Sequence, residues 1–291
     1  MKVVKPVKRN VLLNPGPATT SDAVKYAQVV PDICPREQEF VDIMADVRND
    51  LVKIVHGDPL KYTAVIFTGS GTIIQDVLVN SLVPEGKKLC VVNNGAYAAR
   101  MVEIAEYYHT PCVDIKFPST GLPDLATVRD TLVKDADIAV VMAVHHETGT
   151  GVLNPIREIG AIAHDHGCVF VVDTISTYGL RPIDIEAENI DFLMSSAQKG
   201  LAAMTGASWT WAILSILKSP RIIPPGHITA TCLCSTISSI EAVRCISPRR
   251  FRRSMLSSRP SLNTGKRENR PGGNVSPDAG KPFTRDLKIS D

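Results

Sequence analysis

The stretch "NPIREIGAIAHDHGCVFVVD" (Asn154–Asp173) joins a helical pattern to an apolar run and decides the fold class. Pro155 suits the first position of a helix, apolar residues follow at helical spacing, and Gly167 suits the C-terminal cap. The run "CVFVV" that comes next has no polar face, which is typical of a strand covered by helices on both sides. We therefore expect a helix that leads into an interior strand of a parallel sheet.

The same alternation recurs along the chain as far as residue 207. The other apolar runs that predict strands are "YTAVIF" (Tyr62–Phe67), "KLCVV" (Lys88–Val92), "CVDIKF" (Cys112–Phe117), "IAVVMAV" (Ile138–Val144) and "IDFLM" (Ile190–Met194). Helical stretches lie between these runs. One of them, over residues 39–55, carries an apolar stripe formed by Phe40, Ile43, Met44, Val47, Leu51 and Ile54. The pattern predicts an α/β fold, with a doubly wound, mostly parallel sheet and helices on both faces.

Length and composition exclude several classes of protein. At 291 residues the chain can bury the core of one large domain, and a net charge of +2 gives no reason to expect a nucleic-acid partner. No apolar run is long enough for a bilayer or a secretory signal, so we expect a cytoplasmic location and no membrane partner. The seven cysteines form no CxxC pair and have no histidine at metal-ligand spacing, so we expect reduced thiols and no metal site.

The sequence changes character after Ala207. Residues 208–291 hold ten arginines, against seven in residues 1–207, and strand and helix periodicity fade. We expect a large domain over residues 1–207, with an N-terminal arm over about residues 1–20, and a disordered basic tail over residues 208–291. The alternatives are a solvated linker and a basic segment that contacts RNA or membrane.

Two charged residues stand at the ends of neighbouring predicted strands. Asp173 ends "VFVV", and Lys199 follows "IDFLM" in the loop "SSAQKG" (Ser195–Gly200). Because ligands bind at the carboxyl edge of open α/β sheets, we expect both side chains in one pocket. Small neighbours leave the Lys199 amine room to form a Schiff base, and Asp173 then suits the pyridinium nitrogen of pyridoxal phosphate. The alternatives are an N-cap role for Asp173 and a surface position or ion pair for Lys199.

A glycine-rich loop, "FTGSGT" (Phe67–Thr72), lies between a predicted strand and a predicted helix. Gly71 and its neighbours let backbone N–H groups approach an anion at the helix N-terminus, and the hydroxyls of Ser70 and Thr72 can add hydrogen bonds. The loop has neither GxGxxG nor P-loop spacing, so we interpret it as a cradle for a cofactor phosphate. An ordinary tight turn is the alternative.

Two further loops follow predicted strands. "NNGAYAARM" (Asn93–Met101) brings Tyr97 to the same edge, where its ring can stack on a pyridine ring or join the core. "HHETGTG" offers His145, Glu147 and Thr148 at the end of the next strand. A histidine at a strand end is more often a hydrogen-bonded structural residue than a catalytic one.

Six motifs, in this order, resemble the class V branch of the fold-type I pyridoxal-phosphate aminotransferases: "NPGPATTS", "FTGSGT", "NNGAYAARM", "HHETGTGVLNPI", "VVDTIST" and "SSAQKG". Within that branch the 2-aminoethylphosphonate–pyruvate transaminases are the most similar, and the resemblance runs over about residues 9–207. Serine–pyruvate and alanine–glyoxylate aminotransferases are the alternatives.

The resemblance implies a role for each candidate residue. Lys199 would be the catalytic residue, which forms a Schiff base with pyridoxal 5'-phosphate and then moves a proton between substrate and cofactor. Asp173 would pair with the pyridine nitrogen, Tyr97 would stack on the ring, and Thr148 would contact the side of the ring that carries the phenolic oxygen. The loop Ser70–Thr72 would hold the phosphate, and "NPGPATTS" would lie near the substrate entrance.

The resemblance also implies a reaction and an assembly. The amino group of 2-aminoethylphosphonate would pass to pyruvate, giving phosphonoacetaldehyde and alanine, in a homodimer whose subunits carry a small C-terminal domain. Nothing after residue 207 is similar to that domain, and we interpret the tail as the product of a shifted reading frame, with a divergent tail as the alternative. A cofactor-binding remnant without turnover is the corresponding alternative function.

Overall fold

The computed structural model describes residues 10–213, and most of the predicted basic tail, from residue 214 onward, lies outside the described residues. A seven-stranded sheet runs through the described part, in the order β1-β9-β8-β7-β4-β2-β3. Its strands are β1 (Tyr62–Thr68), β2 (Lys88–Asn93), β3 (Cys112–Lys116), β4 (Ile138–Val144), β7 (Val169–Asp173), β8 (Phe192–Ser196) and β9 (Ala207–Ile213). A separate two-stranded ribbon joins β5 (His146–Glu147) to β6 (Val152–Leu153).

Six helices lie within residues 10–213, two before β1 and four between strands. They are α1 (Asp22–Tyr26), α2 (Gln38–Ile54), α3 (Gly71–Leu82), α4 (Ala96–Tyr107), α5 (Leu125–Lys134) and α6 (Ile156–Asp165). Residues of α3 and α4 pack in one apolar cluster, and residues of α2, α5 and α6 pack in a second cluster on the opposite face of the sheet. The predicted fold class is therefore confirmed. None of the helices within residues 10–213 is long and apolar enough to cross a membrane.

The sheet is mostly parallel, with β9 as its one antiparallel strand among the described residues. β9 lies between β1 and β8 and runs against both, with Tyr62 opposite Ile213 and Ser196 opposite Ser208. The sequence analysis missed this strand and placed the end of the large domain at residue 207, where β9 begins. Buried Ser208 and Thr210 interrupt its apolar pattern, but their hydroxyls donate to the backbone oxygens of Ser70 and Leu193, so their burial costs little.

Helix α2 forms where it was predicted, but Leu51 is the one buried residue of its apolar stripe. Leu51 is 6% exposed, whereas Ile43, Val47 and Ile54 are each about 40% exposed within the described chain. The last turns of α2 reach the apolar cluster that contains Tyr62, and the earlier turns do not. The helical periodicity therefore predicted helix α2 correctly, but it did not predict which of the apolar residues of α2 are buried.

Candidate active site

Four of the predicted site residues line a single pocket at the carboxyl edge of the sheet. These residues are Tyr97, Thr148, Asp173 and Lys199, and each comes from a different loop, helix or strand. β4, β7 and β8 are parallel neighbours, so their carboxyl ends bring the segments that follow them to the same edge. His146, which the sequence analysis did not single out, lines the same pocket.

Asp173 is the last residue of β7, and its side chain is buried. One carboxylate oxygen accepts the backbone N–H of Ile175 at 2.9 Å, and the other accepts Nε2 of Gln75 at 2.8 Å. Burial raises the pKa of Asp173 to about 6, because its two hydrogen bonds and the charge of Arg100 offset the desolvation only in part. The bond to Ile175 closes a local turn, and no described helix begins at Asp173, so the residue is not the N-cap that the alternative expected.

Lys199 lies in the loop that follows β8. Gly200 lets this loop pack closely on the backbone of Tyr178, which lies in the segment between β7 and β8. A Cβ atom at Gly200 would overlap the Tyr178 backbone oxygen. The Ala202 N–H donates to the Lys199 carbonyl at 2.9 Å and closes the turn. Backbone contacts thus fix the loop, and the half-buried Lys199 side chain lines the pocket beside Asp173.

An N-terminal segment, residues 14–18, lies against Lys199. The Ala18 N–H donates to the Gln198 carbonyl at 2.8 Å, which ties the segment to the lysine loop. The backbone of Gly16 has φ of 141° and approaches so closely that an added Cβ would come within 2.9 Å of Lys199 Nζ. The segment "NPGPATTS" therefore contacts Lys199, which lines the pocket, and its place at the substrate entrance stays a prediction.

The predicted phosphate cradle lies at the N-terminus of α3. Ser70 is the N-cap residue, but its hydroxyl makes no capping hydrogen bond. Gly71 is buried against Ile175, which also lines the pocket, and an added Cβ at Gly71 would overlap the Ile175 side chain. Ser70, Gly71 and Thr72 do not line the pocket themselves, so the cradle adjoins the pocket across Ile175.

Helix α4 positions Tyr97 through its N-terminus. The buried carboxylate of Glu147 accepts the N–H of Tyr97 at 3.3 Å and the N–H of Ala98 at 3.0 Å. A carboxylate at this end of a helix satisfies unpaired donors and is attracted by the helix dipole. Arg100 lies one turn further, with Cζ 5.1 Å from the centre of the Tyr97 ring and Nη1 3.3 Å from Thr72 Oγ1.

The two adjacent histidines have different surroundings. His145 is buried, its Nδ1 lies 3.0 Å from Thr177 Oγ1, and desolvation lowers its pKa to about 4. It therefore stays neutral, in the structural role that the sequence analysis gave as the more frequent one. His146 Nδ1 lies 3.1 Å from Ser176 Oγ, and both residues line the pocket.

Sequence reasoning missed Gln75, Arg100 and His146 as members of this neighbourhood. Gln75 interrupts the apolar run "IIQDVLVNSLV" of α3 and is itself buried, so a lone polar residue in an apolar helix was the available signal. Arg100 was visible only as a basic residue one turn after Tyr97. Within residues 10–213, no group of three or more histidine, cysteine, aspartate or glutamate side chains is arranged to hold a metal ion.

Known proteins with similar sequences are aminotransferases. A curated 2-aminoethylphosphonate–pyruvate transaminase from Syntrophobacter fumaroxidans is 39% identical over 208 residues, which cover 72% of this chain and 56% of that protein. Another, from Vibrio vulnificus, is 40% identical over 197 residues, which cover 67% of this chain and 53% of that protein. The chain thus spans about half the length of these curated relatives.

Solved structures share the fold. An aspartate aminotransferase of subgroup IV from Thermus thermophilus superposes with a TM-score of 0.68 at 23% identity, over 77% of this chain and 62% of that one. An alanine–glyoxylate aminotransferase from Nostoc sp. gives 0.65 at 24% identity, over 81% and 58% of the two chains. At these identities the likeness establishes the fold alone.

The family model described as "Aminotransferase class-V" matches residues 22–223. The match extends past residue 207, where we expected the resemblance to end, and so includes the whole of β9. Because it covers more than half of the chain, the chain belongs to the class V aminotransferase family.

Proposed function

We propose that this chain is a pyridoxal-phosphate-dependent aminotransferase that transfers the amino group of 2-aminoethylphosphonate to pyruvate. The observation that carries the proposal is the single pocket in which Lys199, Asp173, Tyr97 and Thr148 meet. The names of the relatives from Syntrophobacter fumaroxidans and Vibrio vulnificus suggest the amino donor and the acceptor.

The described residues fit this cofactor. Within residues 10–213 the Asp173 carboxylate accepts hydrogen bonds only from uncharged donors, so a protonated ring nitrogen would supply a matching positive charge. Ser70 leaves its hydroxyl free of capping at the N-terminus of α3, where a phosphate would also meet backbone N–H groups. Bound pyridoxal phosphate supplies an aldehyde carbon and a ring that withdraws electrons from it.

Residues of the chain itself would hold the cofactor, orient its ring and transfer the proton. The Lys199 amine would hold the cofactor through its aldehyde carbon and would take up the proton that leaves the carbon bearing the substrate's amino group. Gly16, packed on the Lys199 side chain, limits the directions in which that amine can swing. Tyr97 and Thr148 would orient the ring from the N-terminus of α4 and from the loop after β5.

The cofactor assignment is tested by trapping. The purified chain is incubated with pyridoxal phosphate and reduced with borohydride, and peptide mass spectrometry locates the added mass. We expect it on Lys199, and we expect it to disappear in Lys199→Ala. Lys87→Ala, which removes an exposed lysine paired with Asp137, is the matched control and should leave the labelling unchanged. Labelling spread over surface lysines would contradict the assignment.

The substrates are tested with an amine panel. Turnover of 2-aminoethylphosphonate with pyruvate, followed as phosphonoacetaldehyde and alanine, is the expected result. Turnover of alanine with glyoxylate, or serine with pyruvate, in its place would contradict the choice of substrate and retain the reaction type. A trapped cofactor on Lys199 without any turnover would support the alternative function, a cofactor-binding remnant.

Two further expectations stay predictions. Members of this family are expected to assemble as homodimers, which light scattering after size-exclusion chromatography would measure for the full chain. A cytoplasmic location likewise stays a prediction, and fractionation of cells that express the full chain would test it.

A further inference from the structure

Gln75 is a buried amide in the second turn of α3, and it contacts the residue that would govern the cofactor ring. Its side-chain nitrogen donates to Asp173 Oδ2 at 2.8 Å, and the same nitrogen lies 3.5 Å from the backbone oxygen of Tyr97. Its oxygen is buried and has no hydrogen-bond partner among the described residues. One side chain thus joins the cradle helix to Asp173 and to the first turn of α4.

The orientation of this amide has a chemical reason. An amide N–H₂ can only donate, so it is matched to an ionised carboxylate, whereas the amide oxygen would repel that carboxylate. The unpaired oxygen costs free energy, and a flipped amide would move that oxygen next to Asp173. The bond to Asp173 therefore holds Gln75 in place and stabilises the charged form of the carboxyl group.

We propose that Gln75 is a positioning residue that keeps Asp173 ionised, and so keeps a shared proton on the ring nitrogen of the bound cofactor. This inference rests on the proposed function. Asp173 and the ring nitrogen compete for one proton, and a carboxylate that accepts two hydrogen bonds is the weaker base. The proton then stays on nitrogen, where its charge makes the ring withdraw electrons.

Other charged groups near Asp173 also shift the pKa of its carboxyl group. The charge of Glu147 raises the pKa of Asp173, and the charge of Arg100 lowers it. Lys199, His146 and Tyr97 line the same pocket and carry the other titratable side chains in its described lining. A substitution at Gln75 leaves these side chains in place and removes the contacts of the amide with Asp173 and with the Tyr97 backbone.

The first test needs no cofactor. Carbon-13 NMR follows the titration of the Asp173 carboxyl group in the full chain, with the resonance assigned by Asp173→Asn. In Gln75→Leu or Gln75→Met we expect its pKa to rise by about one to two pH units, because a donor to the carboxylate is lost. In Gln75→Glu two neighbouring carboxyl groups would share the site, and the rise should be larger.

A control on the same helix separates this effect from general loosening. Ser81 is fully buried in α3 and its hydroxyl has no hydrogen-bond partner among the described residues, so Ser81→Ala should leave the Asp173 titration unchanged. A Gln75→Leu variant that folds and titrates like the wild type would overturn the inference. Gln75→Met offers the same test if the leucine variant does not fold.

The second test uses pyridoxal phosphate labelled with nitrogen-15 in the ring. We expect the ring-nitrogen resonance to move from the protonated toward the unprotonated position in Gln75→Leu and to stay in place in Ser81→Ala. An unchanged resonance would overturn the inference. If the wild-type chain binds no pyridoxal phosphate, the proposed function fails, whereas the carboxyl titration still decides whether Gln75 controls Asp173.

Discussion

Gly16 packs directly on the side chain of Lys199, so closely that the two residues leave no room for a methyl group between them. A Cβ atom at Gly16 would overlap Lys199 Cδ and would come within 2.9 Å of Nζ. The position of the Lys199 amine is therefore restricted by the N-terminal segment that contains Gly16, which lies far from Lys199 in the sequence.

Gly16→Ala should displace the Lys199 amine. The added methyl group collides with the lysine, and φ of 141° is a conformation that alanine rarely adopts. We expect Schiff-base formation with added pyridoxal phosphate, followed by visible absorbance, to slow at least tenfold, about 1.4 kcal/mol in the barrier. Gly86→Ala is the control, since it also requires a positive φ but has open space around it. Equal rates in the wild type and in Gly16→Ala would refute the prediction.

Asp173→Asn should stabilise the cofactor-free protein at neutral pH. The pKa of Asp173 is about 6 in the folded chain and 3.8 in the unfolded one, so the folded state binds more protons between these values. Stability therefore falls as pH rises from about 4 to 6, by a total of about 3 kcal/mol at most. The variant lacks this loss, and chemical denaturation at pH 4 and pH 7 would measure the difference. A stability gap of the same size at both pH values would contradict the assignment.

His145→Gln should remove a pH dependence of folding stability whose sign is opposite to that of Asp173. The pKa of His145 is lowered from 6.5 to about 4, so the unfolded state binds more protons between these values and stability falls as pH drops. The Asp173 and His145 contributions thus oppose each other over nearly the same range. Relative to the wild type, His145→Gln should gain stability toward acid, while Asp173→Asn gains it toward neutral pH. Denaturation at several pH values checks both slopes, and parallel curves would rule out this account.

Glu147→Ala should loosen the N-terminus of α4. The loss of a buried cap leaves the N–H groups of Tyr97 and Ala98 without acceptors, and we expect a destabilisation of about 1–3 kcal/mol. Glu147→Gln keeps an acceptor and should cost less. Exposed Glu103 on the same helix provides the control, since Glu103→Gln should change stability by less than about 0.5 kcal/mol. Thermal unfolding would show the ranking, and equal melting temperatures for all three variants would contradict it.

Arg100→Met should weaken cofactor binding, because Arg100 contacts both the Tyr97 ring and the Thr72 hydroxyl. It removes the cation over the Tyr97 ring and the hydrogen bond to Thr72, which together are worth about 1–2 kcal/mol. We expect a roughly tenfold higher dissociation constant for pyridoxal phosphate, measured by fluorescence titration. Arg129→Met removes an exposed pair with Asp165 and should leave the constant unchanged. A similar change in both variants would point to net charge instead of this contact.

The sequence was a good guide wherever one local pattern determined the structure. The run Ile138–Val144 coincides with β4, because an interior strand without polar residues has no other stable place in the fold. The positions of Asp173 and Lys199 in one pocket followed from strand ends alone. β9 was missed because hydroxyl groups at Ser208 and Thr210 made a buried strand look like a polar segment.

The missed site residues depend on partners that are distant in the sequence. The Gln75 amide finds its carboxylate 98 residues away, and nothing near Gln75 in the sequence indicates that partner. Arg100 lies in the next helix and contacts Thr72, which is 28 residues away in the sequence, and helical periodicity does not predict a contact between two helices. Single-sequence patterns predict which elements form and which edge they share, whereas side-chain pairs across elements require the packed structure.

The antiparallel strand β9 has a consequence for how the chain is made. Among residues 10–213, β1 pairs with β9 alone, so the earliest of the described strands receives its partner only after the other described strands have been synthesised. Until Ile213 emerges, the backbone groups of β1 remain open to pairing with other nascent chains. A ribosome stall before that point would expose an aggregation-prone edge, and a chaperone that shields strand edges would raise the yield of folded protein.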